Sequence, residues 1–466
     1  MHNMSTYWHK YRQHYLDIAR LSGPIMVAQL GTIVTAYADT IMVGHYNTPS
    51  LAAASLVTNL FNLVILLSLG FSYGITPLVG ALLATRDEGK IGAMLRGIVV
   101  VNTLLGTLLL LAMALLYFFL DHLGQPAELM PLVRPYYLIV LVSMVPVFLT
   151  QVCRQFCDAL GHTGLSMWIF TAGNALNIVG NYMLIYGHWG APQMGLVGAG
   201  VSTLVARLLM CIAYLAIIAT GAHYKGILQG FKVARCSMGQ LRHIAFTSLP
   251  ISLQMGLECG IFTFALVVVG WFGATSLAAY QVILTLSNLG FMIYYAFGAG
   301  TAIKIAHYRG EGNVTAIARA AHAGYALTLA CAIIASLVFL TAGNLIMSIF
   351  TTDEAVIALA LSLIGPLVLY QLGDATQILY ANSLRGMGDT LAVMLCATIA
   401  YLAVGVPLIY LLAVPAGLQL TGIYYAFFVA LLLAGIMLRH RFTRLLHHMP
   451  MSSRIFKTIN QQIKRI

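Results

Sequence analysis

Three carboxylates stand where carboxylates are costly. Asp39, Glu258 and Asp374 lie deep inside long apolar runs, whereas the rest of the thirteen Asp and Glu residues read as loop or terminal charges. A carboxylate at mid-membrane depth costs roughly 2.5–3.5 kcal/mol on insertion scales, so its default role is ion or proton handling along a transport path. A carboxylate kept from water holds a proton more readily and releases it when water enters, the simplest element of a proton-coupled cycle. A pair of acids also offers counter-charge to a cationic substrate. The competing reading, a structural partner for a nearby donor, is weaker for three such residues than for one.

Other polar groups gather on the same stretches. Asn174, Asn177 and Asn181 recur at i, i+3 and i+7, on one helical face. Ser202 and Thr203 follow in the next apolar run. Asp39 with two amide carbonyls and a hydroxyl would make an oxygen cage for a small hard cation such as Na+. Asparagines also bind membrane helices to one another, and the sequence leaves both readings open. In the second half, Gln254 precedes Glu258 by one turn and Tyr370 precedes Asp374 by one turn. Tyr37, Gln254, Phe291 and Tyr370 are the candidate substrate contacts: the three aromatic faces suit flat, lipophilic cations, and Gln254 is a polar neighbour of Glu258. For each aromatic taken singly, packing or lipid contact is the commoner role. Arg207, inside the sixth run, either neutralises an acid or faces a wet cavity.

These residues need a scaffold that hides them from water. The chain is 60% hydrophobic and only 8% charged, against roughly 25% charged in an ordinary soluble domain. Its apolar runs are continuous over twenty or more residues, as in spanning helices; barrel strands would alternate over about ten. Twelve spans are expected between residues 19 and 438, the fifth at 164–187 and the tenth at 355–382. The first run, from Leu21 to about Val43, is too long for the apolar core of a cleaved leader. Seven scattered cysteines lack the companions of a metal set and read as small buried hydrophobes. Twenty-two of the twenty-four Lys and Arg fall on one side of these spans. That asymmetry predicts two cytoplasmic termini. The net charge of +11 thus reflects topology, and no nucleic-acid partner is expected.

The chain also repeats itself. At a constant offset of 226, Ser22 and Pro24 reappear as Ser248 and Pro250, Gly44 as Gly270, Ser50-Leu51-Ala52-Ala53 as Ser276-Leu277-Ala278-Ala279, and Phe71 and Gly74 as Phe297 and Gly300. Six spans per half, an even number, give the halves one orientation, so this is a parallel repeat. The expected organisation is an N-terminal lobe over 1–220, an inter-lobe linker over 221–243, a C-terminal lobe over 244–440 and a basic tail over 441–466. The acids break the repeat: Asp39 answers Ala265, and Glu258 answers Thr32. The scaffold is duplicated and the chemistry is not.

Several stretches resemble the multidrug and toxic compound extrusion (MATE) transporters of the NorM-like branch. They are Ala38-Asp39-Thr40-Ile41-Met42-Val43-Gly44, Asn177 to Asn181, Tyr186-Gly187, Gly198 to Thr203, Glu258, Asp374, and Leu384-Arg385-Gly386-Met387-Gly388-Asp389-Thr390. The resemblance covers about residues 15–440. It implies an all-α membrane protein with two six-helix lobes in a V, and alternating access that exports drugs, dyes or organic cations against inward Na+ or H+. It further implies Asp39, Asn177, Asn181 and Thr203 as one cation site and Glu258 with Asp374 as another, Na+ fitting either. No cofactor, a bacterial inner-membrane location and a functional monomer follow from the same likeness. A related lipid-linked precursor flippase is the alternative, but it would want a strongly basic cavity. No HExxH helix or Gly-x-Ser-x-Gly elbow points to an enzyme.

Overall fold

The computed structural model describes residues 2–123, 127–350 and 353–449; residues 450–466 of the expected basic tail lie outside the described residues. Among those described there is no β-strand. The first half runs α1 (His2–Tyr46), α2 (Thr48–Ser72), α3 (Ile75–Leu83), α4 (Glu88–Tyr117), α5 (Met130–Ala159), α6 (Thr163–Tyr186), α7 (Gly195–Thr220) and α8 (Lys225–Val233). The second runs α9 (Met238–Gly270), α10 (Ala274–Gly310), α11 (Val314–Phe350), α12 (Glu354–Ser362), α13 (Ile364–Gly386), α14 (Thr390–Ala397), α15 (Val406–Ala413) and α16 (Gln419–His448). Helices are the expected answer for runs this apolar, because a lipid-facing backbone must satisfy its own hydrogen bonds.

Among the described residues, ten stretches are long and apolar enough to cross a membrane, eleven if the bent pair α12–α13 counts as one. The twelfth expected span is α6, whose 24 residues reach about 36 Å but whose asparagines dilute its apolar character. Local chemistry explains the breaks. Asn47 caps α2 by accepting from the Ser50 N–H at 2.7 Å, and Asp87 caps α4 by accepting from Lys90 N–H at 3.1 Å. The bend of 49° between α12 and α13 comes just before Pro366, which has no N–H to give the Ser362 carbonyl. Between α14 and α15 the helix widens to a π-helix over Thr398–Gly405, immediately ahead of Pro407, whose ring crowds the preceding turn.

By its internal contacts the chain forms two compact units. One is Val27–Ser252, and the other joins the residues before Val27 to those from Leu253 on. Each has its own core: Phe61, Tyr137 and Met144 lie in one, Tyr280, Tyr424 and Phe427 in the other. The two boundaries are 226 residues apart, the repeat offset, so the initial segments of α1 and α9 are exchanged between the copies. The first part of α1 packs along α10, with Asp17 paired to Lys304 at 2.8 Å and Ile25 against Ala296 and Ile303. The first part of α9 packs on α4 and α2, with Gln240 donating to the Ala93 carbonyl at 3.1 Å and Ser252 to Leu67 at 2.8 Å.

Paired glycines make these exchanges close. A Cβ on Gly74 would reach 2.9 Å from Ser248 Cα, and one on Gly300 would meet the Ser22 hydroxyl and come within 3.3 Å of the Ile18 carbonyl. Gly74→Ala is therefore expected to destabilise the protein by about 1–3 kcal/mol, the range for overpacking. Gly300→Ala should do so less, since it meets chiefly a movable hydroxyl. Melting curves of the two purified variants in one detergent check the order; a silent Gly74→Ala would show that α9 does not seat there.

Candidate functional site

The unit from Leu253 on brings Glu258 and Asp374 together, and their charges act on one another. Glu258 comes from α9 and Asp374 from the middle of α13, where it is 1% exposed. No donor among the described residues reaches Asp374 Oδ2. Gln254 donates to Glu258 Oε2 at 2.9 Å and accepts from Arg385 Nη2. Arg385 also donates to Asn382 Oδ1 at 3.3 Å, and its charge acts on Glu258. The cluster therefore holds two acids and one guanidinium; buried Tyr294 lies within electrostatic reach of Asp374, and buried Gln371 and Gln377 stand about one turn to either side of it on α13. Tyr401, on the π-helix, lies within electrostatic reach of both acids.

Arg385 lies just beyond the tenth expected span, 355–382, yet it is a buried residue in the last turn of α13. The signal was present. Residues 374, 378, 381 and 385 recur on one helical face, so Arg385 shares a face with Asp374, three turns away.

The unit from Val27 to Ser252 assembles the other set. Asn181 Nδ2 donates to Asp39 Oδ1. Asn177 Nδ2 donates to Thr203 Oγ1 at 3.1 Å, and the Thr203 hydroxyl donates in turn to the Ala199 carbonyl at 2.9 Å. The side-chain oxygens of Asn177 and Asn181 are buried with no donor among the described residues. With both nitrogens committed, this face offers oxygens, the donor type a hard cation takes. Asn174 does not join them and packs against Gly31 instead. Arg207 donates to Ser143 Oγ at 2.6 Å and is close enough for its charge to act on Asp39. One acid here faces one fixed cation.

The acids number more than the three apolar runs suggested. Asp158, in the last turn of α5, is 4% exposed, accepts from Ser166 Oγ at 2.7 Å and lies 3.8 Å from the buried Arg154 guanidinium. Its position near a polar helix end disguised it. Next to it, His162 shares a 2.8 Å hydrogen bond with the Tyr224 hydroxyl; burial and then neighbouring His223 hold that imidazole below its ordinary value of 6.5.

The four candidate substrate contacts have different surroundings. Tyr37 is 48% exposed. Phe291 stacks on Tyr295 at 6.1 Å. Tyr370 is buried edge-on against Tyr424 and Phe427, each at 6.1 Å. Gln254 is buried, donating to Glu258 and accepting from Arg385.

The sequence matches the family model described as MatE twice, over residues 24–183 and 250–411. The matches begin at Pro24 and Pro250, the repeat offset. The chain belongs to the MatE family, the multidrug and toxic compound extrusion transporters, which is a transporter family and not an enzyme class. Among its relatives, multidrug resistance protein NorM of Burkholderia vietnamiensis is 28% identical over 439 residues, 92% of this chain and 94% of that protein. NorM of Vibrio cholerae is 29% identical over 445 residues, 93% of this chain and 96% of that protein. Solved structures share the fold at lower identity. An outward-facing multidrug resistance MATE family transporter of the MOP superfamily superposes with a TM-score of 0.83 at 20% identity, covering 93% of this chain and 96% of that one. A MOP superfamily transporter from Pyrococcus furiosus, titled for the reverse polarity of its binding pocket, gives 0.85 at 18%, covering 94% and 96%.

Proposed function

We propose that this chain exports lipophilic, mostly cationic organic compounds, drugs and dyes among them, against an inward flow of Na+ or H+. It works by alternating access in a bacterial inner membrane, as a monomer with both termini in the cytoplasm and without a cofactor. The names of its NorM relatives support the substrate class. One observation carries the coupling: the charges of Glu258 and Asp374 act on one another, and Arg385, the cation of this cluster, acts on Glu258. With one acid ionised the cluster is neutral. Ionising the second leaves an uncompensated negative charge in a low-dielectric site, where it must be met by a proton, a sodium ion or a cationic substrate. Those ligands exclude one another, and exclusion is what exchange requires. The Asp39 set, already balanced by Arg207, serves as a second cation site through Asn177, Asn181 and Thr203.

The flippase alternative is weaker on these residues. Arg154, Arg207 and Arg385 each lie within reach of an acid, so none of these three guanidiniums offers an unbalanced basic cavity to a pyrophosphate.

Inverted vesicles test the proposal. An imposed Na+ or H+ gradient is expected to drive dye movement by the wild type, and one of the two ions should suffice. Asp39→Asn is expected to weaken the response and Asp374→Asn to remove it. Dye movement that ignores both gradients rejects coupling.

A further inference from the structure

The Val27–Ser252 unit carries a second feature, away from its acids. α4, α5, α7 and α8 enclose a groove of about 480 Å³, walled by Thr103 and Thr107 of α4, Phe148 of α5, Leu215 of α7, and Leu228 and Phe231 of α8. Val145 and Leu149, also on its wall, are 48% and 36% exposed, so the groove opens sideways through apolar residues. No acid lines it, which makes it a poor seat for an organic cation. Along α4 it reaches from Leu95 to Leu110, about 22 Å at 1.5 Å per residue. That is long enough for a chain crossing one leaflet, about 15 Å of a roughly 30 Å hydrocarbon core.

One end of the groove is basic and rigid. α8 turns Ile227 inward and leaves Lys225, Gln229 and Lys232 exposed, the pattern of a helix lying in a membrane interface. It is fixed on α4 by backbone contact: a Cβ on Gly92 would fall 2.6 Å from the Phe231 nitrogen, and one on Gly230 would fall 2.6 Å from Gly89 Cα. Arg96 of α4 closes its C-terminal end, donating to the Phe231 and Lys232 carbonyls at 3.3 and 3.1 Å. Exposed Arg235 follows. Phe231, which lines the groove, is thus flanked by Lys232 and Arg96.

We infer that this groove holds an acyl chain of an anionic phospholipid whose phosphate rests on Lys232, Arg235 and Arg96. Apolar walls take the chain, and the clustered cations select the headgroup. α8 is then anchored to the membrane by a bound lipid as well as by its own helix.

The full-length protein in phosphatidylcholine vesicles, doped with phosphatidylglycerol carrying a photoreactive acyl chain, provides the test. After illumination, the label is expected on the α4, α5 and α7 walls of the groove, severalfold above other lipid-facing helices. Thr103→Trp with Ala219→Trp, the latter on the α7 wall, fills the groove and should cut that labelling about tenfold through lost apolar contact. Lys232→Glu with Arg235→Glu, two exposed positions that leave the packing intact, should erase a preference of about tenfold over photoreactive phosphatidylcholine. Even labelling around the protein, or labelling that survives the filled groove, overturns the inference. So does displacement of the label by an exported dye, which would make the groove a transport site.

Discussion

Asp374→Asn is expected to end coupled efflux while the protein still reaches the membrane. The amide keeps the shape of the acid but cannot ionise. Glu258 alone then balances Arg385, and the cluster stays neutral with no proton or sodium ion to give up. Efflux of a cationic dye, normalised to protein in the membrane fraction, should fall roughly 10- to 100-fold, within the span of a site-to-site coupling of 1–3 kcal/mol. Asp374→Glu, which keeps the charge, should recover part of it. Normal efflux by Asp374→Asn would remove this acid from the coupling machinery.

Arg385→Ala should do the larger damage to the fold. It leaves the Glu258–Gln254 pair without its cation, and losing one partner of a buried charge costs about 3–5 kcal/mol. The variant is expected to melt well below the wild type. Adding Glu258→Gln removes the orphaned charge, so the double variant should recover much of the loss. A double-mutant cycle in detergent measures this. If the two losses simply add, the guanidinium is not there for Glu258.

The sequence made some of this plain and hid the rest for identifiable reasons. The helices were legible because lipid leaves the backbone almost no other choice; even α6, dulled by its asparagines, falls where a span was expected. Asp39, Glu258 and Asp374 were conspicuous because a charge in an apolar run has a cost that must be justified. Arg385 and Asp158 were hidden by that same logic. Both stand within a turn of a polar loop, where a charge costs little to explain, and only packing reveals that they are buried. The repeat showed Ser22 answering Ser248 and Gly74 answering Gly300. It could not show that Ser22 packs on Gly300 and Ser248 on Gly74, because comparing a chain with itself yields equivalence and not partnership. Gln254 shows the same gap on a smaller scale: one turn from Glu258 was enough to mark it, but its bond with Arg385 depends on a helix more than a hundred residues away.

The exchanged starts of α1 and α9 bear on how the molecule is made. During synthesis the opening stretch of the chain, Asp17 to Ile25, emerges long before Gly300 and Lys304, the residues it settles against. It must wait in the bilayer, unpartnered, while nearly three hundred further residues leave the ribosome. The segment around Ser248 has no such delay, since Gly74 and Ala93 precede it. The half made first is therefore the half completed first, and a product truncated before α10 would keep an opening helix with nowhere to dock.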